Sequence, residues 1–205
     1  MQNCEMIEKI KALKRETDTA IVAHVYQSPD ILEVADCVGD SFYLSTEATK
    51  LAAGRIIMAG VLFMAETVKI LAPEKEVVLA AEGAGCPLAE MPKTEWLIEA
   101  KKADPDIKIA CYINSTAEFK AHCDVCVTSS TAVKIISHLD ADRVLFVPDK
   151  NLGMYVQRQV PDKKLLFWNC FCPVHNAVTK KDIDGIKARV GDLPVLAHPE
   201  CLPEV

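Results

Sequence analysis

Several things are scarce in this 205-residue chain, and each scarcity removes a class of protein. There is no long apolar run. The longest stretch without a charge, residues 165–179, contains Asn, Pro and His and is too short and polar to span a bilayer, so no membrane partner is expected. Basic residues number 23 against 29 acidic ones, for a net charge of −6, and they gather in no stripe. A nucleic-acid partner is therefore not expected either. Eight glycines and eleven prolines are too few for a low-complexity or collagen-like chain. Half the residues are apolar and a quarter charged, which excludes intrinsic disorder. The opening MQNCEMIEKIKALKRE is charged and amphipathic, unlike a signal peptide, so the expected compartment is cytoplasmic.

Cysteine, by contrast, is plentiful: nine residues, an odd number. Without an export signal this argues against a disulfide framework and for buried thiols, with a metal or redox role for a few.

Apolar runs alternate with helical patterns. Strands are expected at 20–23, 56–59, 77–80, 107–111, 144–147, 165–168 and 195–197. Helices are expected at 4–16, 64–71, 94–102, 132–139 and 181–190. Strand–helix alternation at this spacing means parallel sheets covered by helices, an α/β class.

The sequence also repeats itself. Ala23-His-Val-Tyr26 aligns with Cys111-Tyr-Ile-Asn114, Asp36 with Asp124, Ser41 with Ser129, and Pro73-Glu-Lys75 with Pro161-Asp-Lys163. One unit is thus about 86–88 residues long, the length of a small α/β layer structure. A third unit starts near the end, where Ala197-His198-x4-Pro203 echoes Ala23-His24-x4-Pro29 with Pro at a first helical position. The expected organisation is a first repeat at 1–104, a second at 105–192, and the start of a truncated third at 193–205.

The repeat sets polar groups just past strand ends: His24 and Tyr26, Tyr112 and Asn114, His198 and Glu200. Ligands of parallel sheets bind at that edge. Ser41 and Ser129 precede helical patterns, where free N–H groups and hydroxyls suit carboxylate or phosphate. Cys86, in a glycine-rich loop, and Cys172 each follow a strand, precede a proline and lie 86 residues apart. Three repeats would present three thiolates, which leave one iron of a four-iron cubane open, whereas a closed zinc site needs four ligands. Cys123-x-x-Cys126 lies in a strand-like part of its repeat without a companion pair, so these are read as buried thiols. His175, three residues past Cys172, is placed to contact substrate. His122 and His138 read as helix-surface residues.

The segments 23–27, 35–41, 60–66, 84–89, 112–115, 128–130, 148–153, 172–175 and 198–201 together resemble the quinolinate synthase family, iron–sulfur enzymes of NAD biosynthesis. The resemblance implies three similar α/β domains in a pseudo-threefold arrangement. It implies condensation of iminoaspartate with dihydroxyacetone phosphate, releasing phosphate and water as quinolinate forms. A 4Fe–4S cluster would be held by Cys86 and Cys172, with a third cysteine further along the family pattern. His24, Ser41, Tyr112, Asn114, Ser129, His198 and Glu200 would line the substrate pocket, and Tyr26 and Glu200 would carry protons. Transient contact with the L-aspartate oxidase that supplies iminoaspartate is expected. The alternative is a non-catalytic chain that binds a dicarboxylate or a labile cluster.

Overall fold

The computed structural model describes residues 2–205, which divide into two compact units, Met1–Cys86 and Pro87–Val205. The first contains α1 (Gln2–Glu16), β1 (Thr19–His24), α2 (Pro29–Val34), β2 (Cys37–Gly39), α3 (Ser41–Lys50), β3 (Arg55–Ala59), α4 (Leu62–Leu71) and β4 (Glu76–Leu79). The second contains α5 (Pro87–Glu90), α6 (Thr94–Ala103), β5 (Lys108–Tyr112), α7 (Ala117–Lys120), β6 (Val125–Val127), α8 (Ala132–His138), β7 (Arg143–Val147), α9 (Lys150–Gln159), β8 (Lys164–Phe167), α10 (Pro173–Asn176) and α11 (Lys180–Val190). Helix α6, which the repeat reading assigned to residues 1–104, packs its Leu97 among Ile107, Ile109, Phe119 and Leu145 of the second unit.

Each unit holds one four-stranded, all-parallel sheet, in the orders β2-β1-β3-β4 and β6-β5-β7-β8. The central strands are buried on both faces: Ala20 to Ala23 in β1 and Ile109 to Tyr112 in β5. That explains their unbroken apolar runs, since helices cover both sides of a parallel sheet. On one face of the first sheet Ile21 and Ala23 pack with Ile7 of α1 and Val34 of α2. Pro29 stands at the start of α2, where its missing N–H costs nothing. Gly153 lets α9 approach its sheet, because a Cβ there would lie 2.7 Å from the Phe167 ring and 3.0 Å from that of Phe146.

The repeat survives down to single hydrogen bonds. Ile21 N–H donates to Asp36 Oδ2 at 2.7 Å, and Ile109 N–H to Asp124 Oδ2 at 2.8 Å. Each carboxylate also takes a lysine: Lys14 at 2.8 Å and Lys101 at 2.7 Å. The Lys75 ammonium donates to the carbonyls of Leu51 and Ala53, and the Lys163 ammonium to those of Leu139 and Ala141. Leu51 and Leu139 are the C-caps of α3 and α8, so each lysine closes one carbonyl that a helix end leaves open and ties it to a second carbonyl two residues beyond.

Two expectations fail near the end of the chain. Residues 195–197 form no strand, and Leu196 is 98% exposed. A short apolar run becomes a strand only beside a neighbour that satisfies its backbone groups, and none flanks this one among the described residues. Pro203 sits in a turn, not at a helix start. The strand β2 was not expected, being only three residues long and half exposed, whereas β6 answers to the strand-like stretch around Cys126.

Candidate functional site

In each sheet the chain reverses direction of travel between the two central strands, and the C-terminal edge there is where parallel sheets take ligands. In the second unit this edge carries Tyr112 at the end of β5, the loop Thr128–Thr131 after β6, Asp149 after β7 and Cys172 after β8. Thr128 Oγ1 meets Ser130 Oγ at 3.0 Å and Thr131 Oγ1 at 2.9 Å, fixing the loop that carries half-buried Ser129. Asn114 is half-buried two residues beyond Tyr112.

Asp149 is fully buried. Its Oδ1 caps α9 by accepting the Leu152 N–H at 2.8 Å, and its Oδ2 accepts the Cys172 N–H at 2.9 Å. The carboxylate therefore ties the cysteine loop to the helix start. Burial pushes the Asp149 carboxyl up to about 6, against the pull of these N–H bonds. A backbone bond from Lys150 N–H to Cys170 O, at 2.9 Å, holds the same loop.

Four groups converge beside Cys172. His175 Nδ1 lies 3.2 Å from Cys172 Sγ and 2.8 Å from Glu200 Oε2. His198 Nδ1 lies 4.0 Å from Glu200 Oε1, and the two imidazole rings are 4.9 Å apart. Glu200 is only 2% exposed. Its carbonyl accepts from Asn151 Nδ2 at 3.0 Å, and its N–H donates to His198 Nδ1 at 3.3 Å. Burial, then the Glu200 charge and its hydrogen bond, push the Tyr112 hydroxyl far above its ordinary value, while Ser129 hydrogen-bonds to it and works the other way. Burial raises the Cys172 thiol, opposed by the N–H groups of His175 and Val174. Burial also lowers His198, with Glu200 opposing. The unit thus gathers Tyr112, Ser129, Cys172, His175, His198 and Glu200, all of which the sequence singled out.

The first unit repeats part of this arrangement at its own sheet edge. Tyr26 N–H donates to His24 Nδ1 at 3.2 Å, as Glu200 N–H does to His198. Gln27 N–H bonds His24 O and Cys201 N–H bonds His198 O, both at 2.9 Å, so the turn of the third repeat is real although its strand is not. The Tyr26 ring is 83% exposed and edge-on to His24, 4.6 Å away. Burial lowers His24, with Asp40 opposing. Ser41 is the first residue of α3, but Asp40 provides the cap, accepting the Tyr43 N–H at 2.8 Å. Half-buried Cys86 follows a loop in which Gly83 has φ 72, a left-handed conformation that favours glycine. Leu62 N–H to Ala84 O, at 2.8 Å, pins this loop as Lys150 N–H to Cys170 O pins that of Cys172.

The sequence reading passed over Asp149 and Asn151. Repeat logic could not find Asp149, because Val61 caps the corresponding helix α4; only the segment 148–153 drew attention to it. The expectation of buried thiols at the Cys123-x-x-Cys126 pair needs correction. Cys126 is exposed, because β6 is an edge strand, and Cys123 is half-buried. Both contact the buried Cys111, which pairs with Cys126 across β5 and β6. His122 is exposed in the turn after α7, and His138 is exposed at the last position of α8.

No described helix is long and apolar enough to cross a membrane. A family model described as quinolinate synthetase A protein matches residues 8–205. The chain is 47% identical over 205 residues to a quinolinate synthase of Alkaliphilus metalliredigens, covering all of this chain and 68% of that protein. It is 48% identical over 194 residues to a quinolinate synthase of Clostridium acetobutylicum, covering 95% of this chain and 64% of that one. A third, from Clostridioides difficile, is 45% identical over 201 residues, at 98% and 66%. The chain therefore spans about two thirds of the length of these curated relatives.

Proposed function

This chain belongs to the quinolinate synthase family, and on that premise we propose that it takes part in condensing iminoaspartate with dihydroxyacetone phosphate, with loss of phosphate and water, to give quinolinate for NAD biosynthesis. The observation that carries the reading is the convergence of Tyr112, His175, His198 and Glu200 around Cys172 at the ligand-binding edge of a parallel sheet.

Cys86 and Cys172 would hold a 4Fe–4S cluster. The donor chemistry fits: both are half-buried sulfurs in loops after the last strand of a unit, each pinned by the same backbone bond. Bound there, a cluster with one iron free of cysteine would supply Lewis acidity toward a carboxylate, a nitrogen or a departing hydroxyl. The other work falls to the chain. Tyr112, Asn114 and Ser129 would donate hydrogen bonds to the dicarboxylate, and His24 and Ser41 are assigned the same role from their unit. Glu200 would hold and release protons, since its carboxyl is in hydrogen-bond reach of His175 Nδ1 and the Tyr112 hydroxyl. Tyr26 would exchange protons at a solvent-open position. Transient contact with L-aspartate oxidase, as the source of iminoaspartate, belongs to the same reading.

The test is an anaerobic assay of quinolinate formation from both substrates, alongside iron and sulfide analysis. Glu200→Gln is expected to lower kcat by about 100-fold or more while leaving the cluster spectrum intact. Cys86→Ser and Cys172→Ser are expected to lose both cluster and turnover. A protein that keeps iron and sulfide but forms no quinolinate would favour the binding-only alternative. Unchanged turnover in Glu200→Gln would overturn the proton-carrier role.

A further inference from the structure

Cys172 and His175 share the single turn of α10 and Glu200 comes from the turn at 198–200, and their donor atoms all lie within 4.8 Å of one another. Their arrangement decides between two kinds of chemistry. A thiol–imidazole–carboxyl nucleophile needs thiol and carboxyl on opposite ring nitrogens, so that the ring can pass a proton between them. Here both approach the same nitrogen: His175 Nδ1 is 3.2 Å from Cys172 Sγ and 2.8 Å from Glu200 Oε2. One N–H cannot serve both partners well, and the relay has no second end. Three donors converging on one point are instead a ligand set.

We propose that Cys172, His175 and Glu200 form a site for a single borderline-soft divalent cation of the zinc class, leaving a fourth position open. Zn–S and Zn–N bonds of about 2.3 and 2.0 Å at a tetrahedral angle put the two donors roughly 3.5 Å apart. The sulfur–nitrogen pair stands at 3.2 Å and needs a few tenths of an ångström of opening, the nitrogen–oxygen pair at 2.8 Å needs about half an ångström, and the sulfur and the carboxylate lie within 4.8 Å of each other. His175, with 26% of its side chain exposed on the four-residue helix α10, can give that much. The buried Glu200 carboxylate gains a positive partner, which a buried charge requires. Sulfur, imidazole and carboxylate together exclude magnesium and calcium, which take all-oxygen sets. The set lies wholly within Pro87–Val205, so the site does not depend on Cys86 or on the catalytic reading. It does share Cys172 with the proposed cluster. A zinc-class ion and a cluster therefore compete for this thiolate, and zinc becomes an antagonist of cluster loading.

The test is a cobalt(II) chloride titration of reduced, metal-free protein under argon, followed by displacement with zinc chloride. One equivalent of cobalt is expected to produce a thiolate charge-transfer band together with the intense visible bands of tetrahedral cobalt, and zinc should abolish both. Cys172→Ser should lose the charge-transfer band. His175→Ala and Glu200→Gln should weaken binding by about 100-fold or more, since even groups outside a coordination sphere are worth roughly 10–100-fold. Cys86→Ser and Cys126→Ser should bind as wild type, although Cys86→Ser should fail to hold the cluster. Far-UV circular dichroism checks that each variant folds. No cobalt–thiolate band in the wild type would overturn the proposal. So would a band that survives Cys172→Ser and vanishes in Cys126→Ser. Cobalt binding by the metal-free protein, with no quinolinate formed by a separate sample whose iron and sulfide analysis shows a full cluster, would sink the catalytic reading and leave this one standing.

Discussion

Replacing Lys163 by Met tests whether the repeat is energetic as well as geometric. The Lys163 ammonium donates to Leu139 O at 2.6 Å and to Ala141 O at 2.9 Å. Met keeps the aliphatic stem and removes both bonds. A hydrogen bond from a charged donor contributes about 1.5–3 kcal/mol, so the gross loss is roughly 3–6 kcal/mol. Part of it returns, because the half-buried ammonium no longer has to be desolvated and water can reach one of the freed carbonyls. A net loss of about 2–3 kcal/mol remains. With a urea slope of about 1–3 kcal/mol/M, the unfolding midpoint should fall by roughly 0.7–3 M. Trp96 and Trp168 both lie in the second unit, so tryptophan emission during a urea titration reads the affected unit directly. The matching change, Lys75→Met, strikes a lysine only 7% exposed and should cost at least as much, read by far-UV circular dichroism. A midpoint unmoved in Lys163→Met would refute the idea that these lysines close the ends of α3 and α8.

Gly153→Ala should destabilise the protein by about 1–3 kcal/mol, because the new methyl group meets the Phe146 and Phe167 rings of the packed sheet; a thermal melt checks it. For Asp124, burial opposes the charge, but Lys101, the Ile109 N–H and Lys108 outweigh it and hold the carboxyl below the usual range. A folded-state value below the unfolded one gives stability that is complete above about pH 3.9 and lost as pH falls through the lower folded value. Asp124→Asn should therefore be less stable at neutral pH, and its difference from wild type should shrink on acidification through that window, as urea midpoints at several pH values will show. Thiol labelling with iodoacetamide at pH 8 should modify exposed Cys4 well before Cys111, which is buried and whose thiol is pushed up to about 12, first by its hydrogen bond with Cys123. Peptide mapping of a time course reads the order, and early modification of Cys111 in the native protein would contradict its burial.

Much of this architecture is legible in the linear sequence because a parallel α/β unit imposes it locally. Strands buried on both faces must be apolar throughout, so β1, β3, β5 and β7 show themselves as short apolar runs. The repeat was readable for a related reason. Asp36 and Asp124, or Lys75 and Lys163, each bond backbone groups of their own unit, so their spacing is conserved inside the chain along with the bonds. The edge strand β2 escaped, since three half-exposed residues carry too little periodicity.

The residue types of the site were legible in the sequence: Tyr112, Ser129, Cys172, His175, His198 and Glu200 all follow from repeat register and the neighbouring motif, although no strand precedes His198 and Glu200. Tertiary structure decided what they do to one another. No spacing says that His175 meets Cys172 and Glu200 through the same ring nitrogen, because that depends on the turn at 198–200 folding back over α10. Nor does any spacing reveal Asp149, whose carboxylate holds the Cys172 loop while its counterpart in the first unit is Val61. Local chemistry repeats with the chain. Convergence of groups 25 to 50 residues apart, such as Asn151 with Asn176 and Glu200, is set by how helices and loops pack on the sheet, and that information exists only once the sheet has formed.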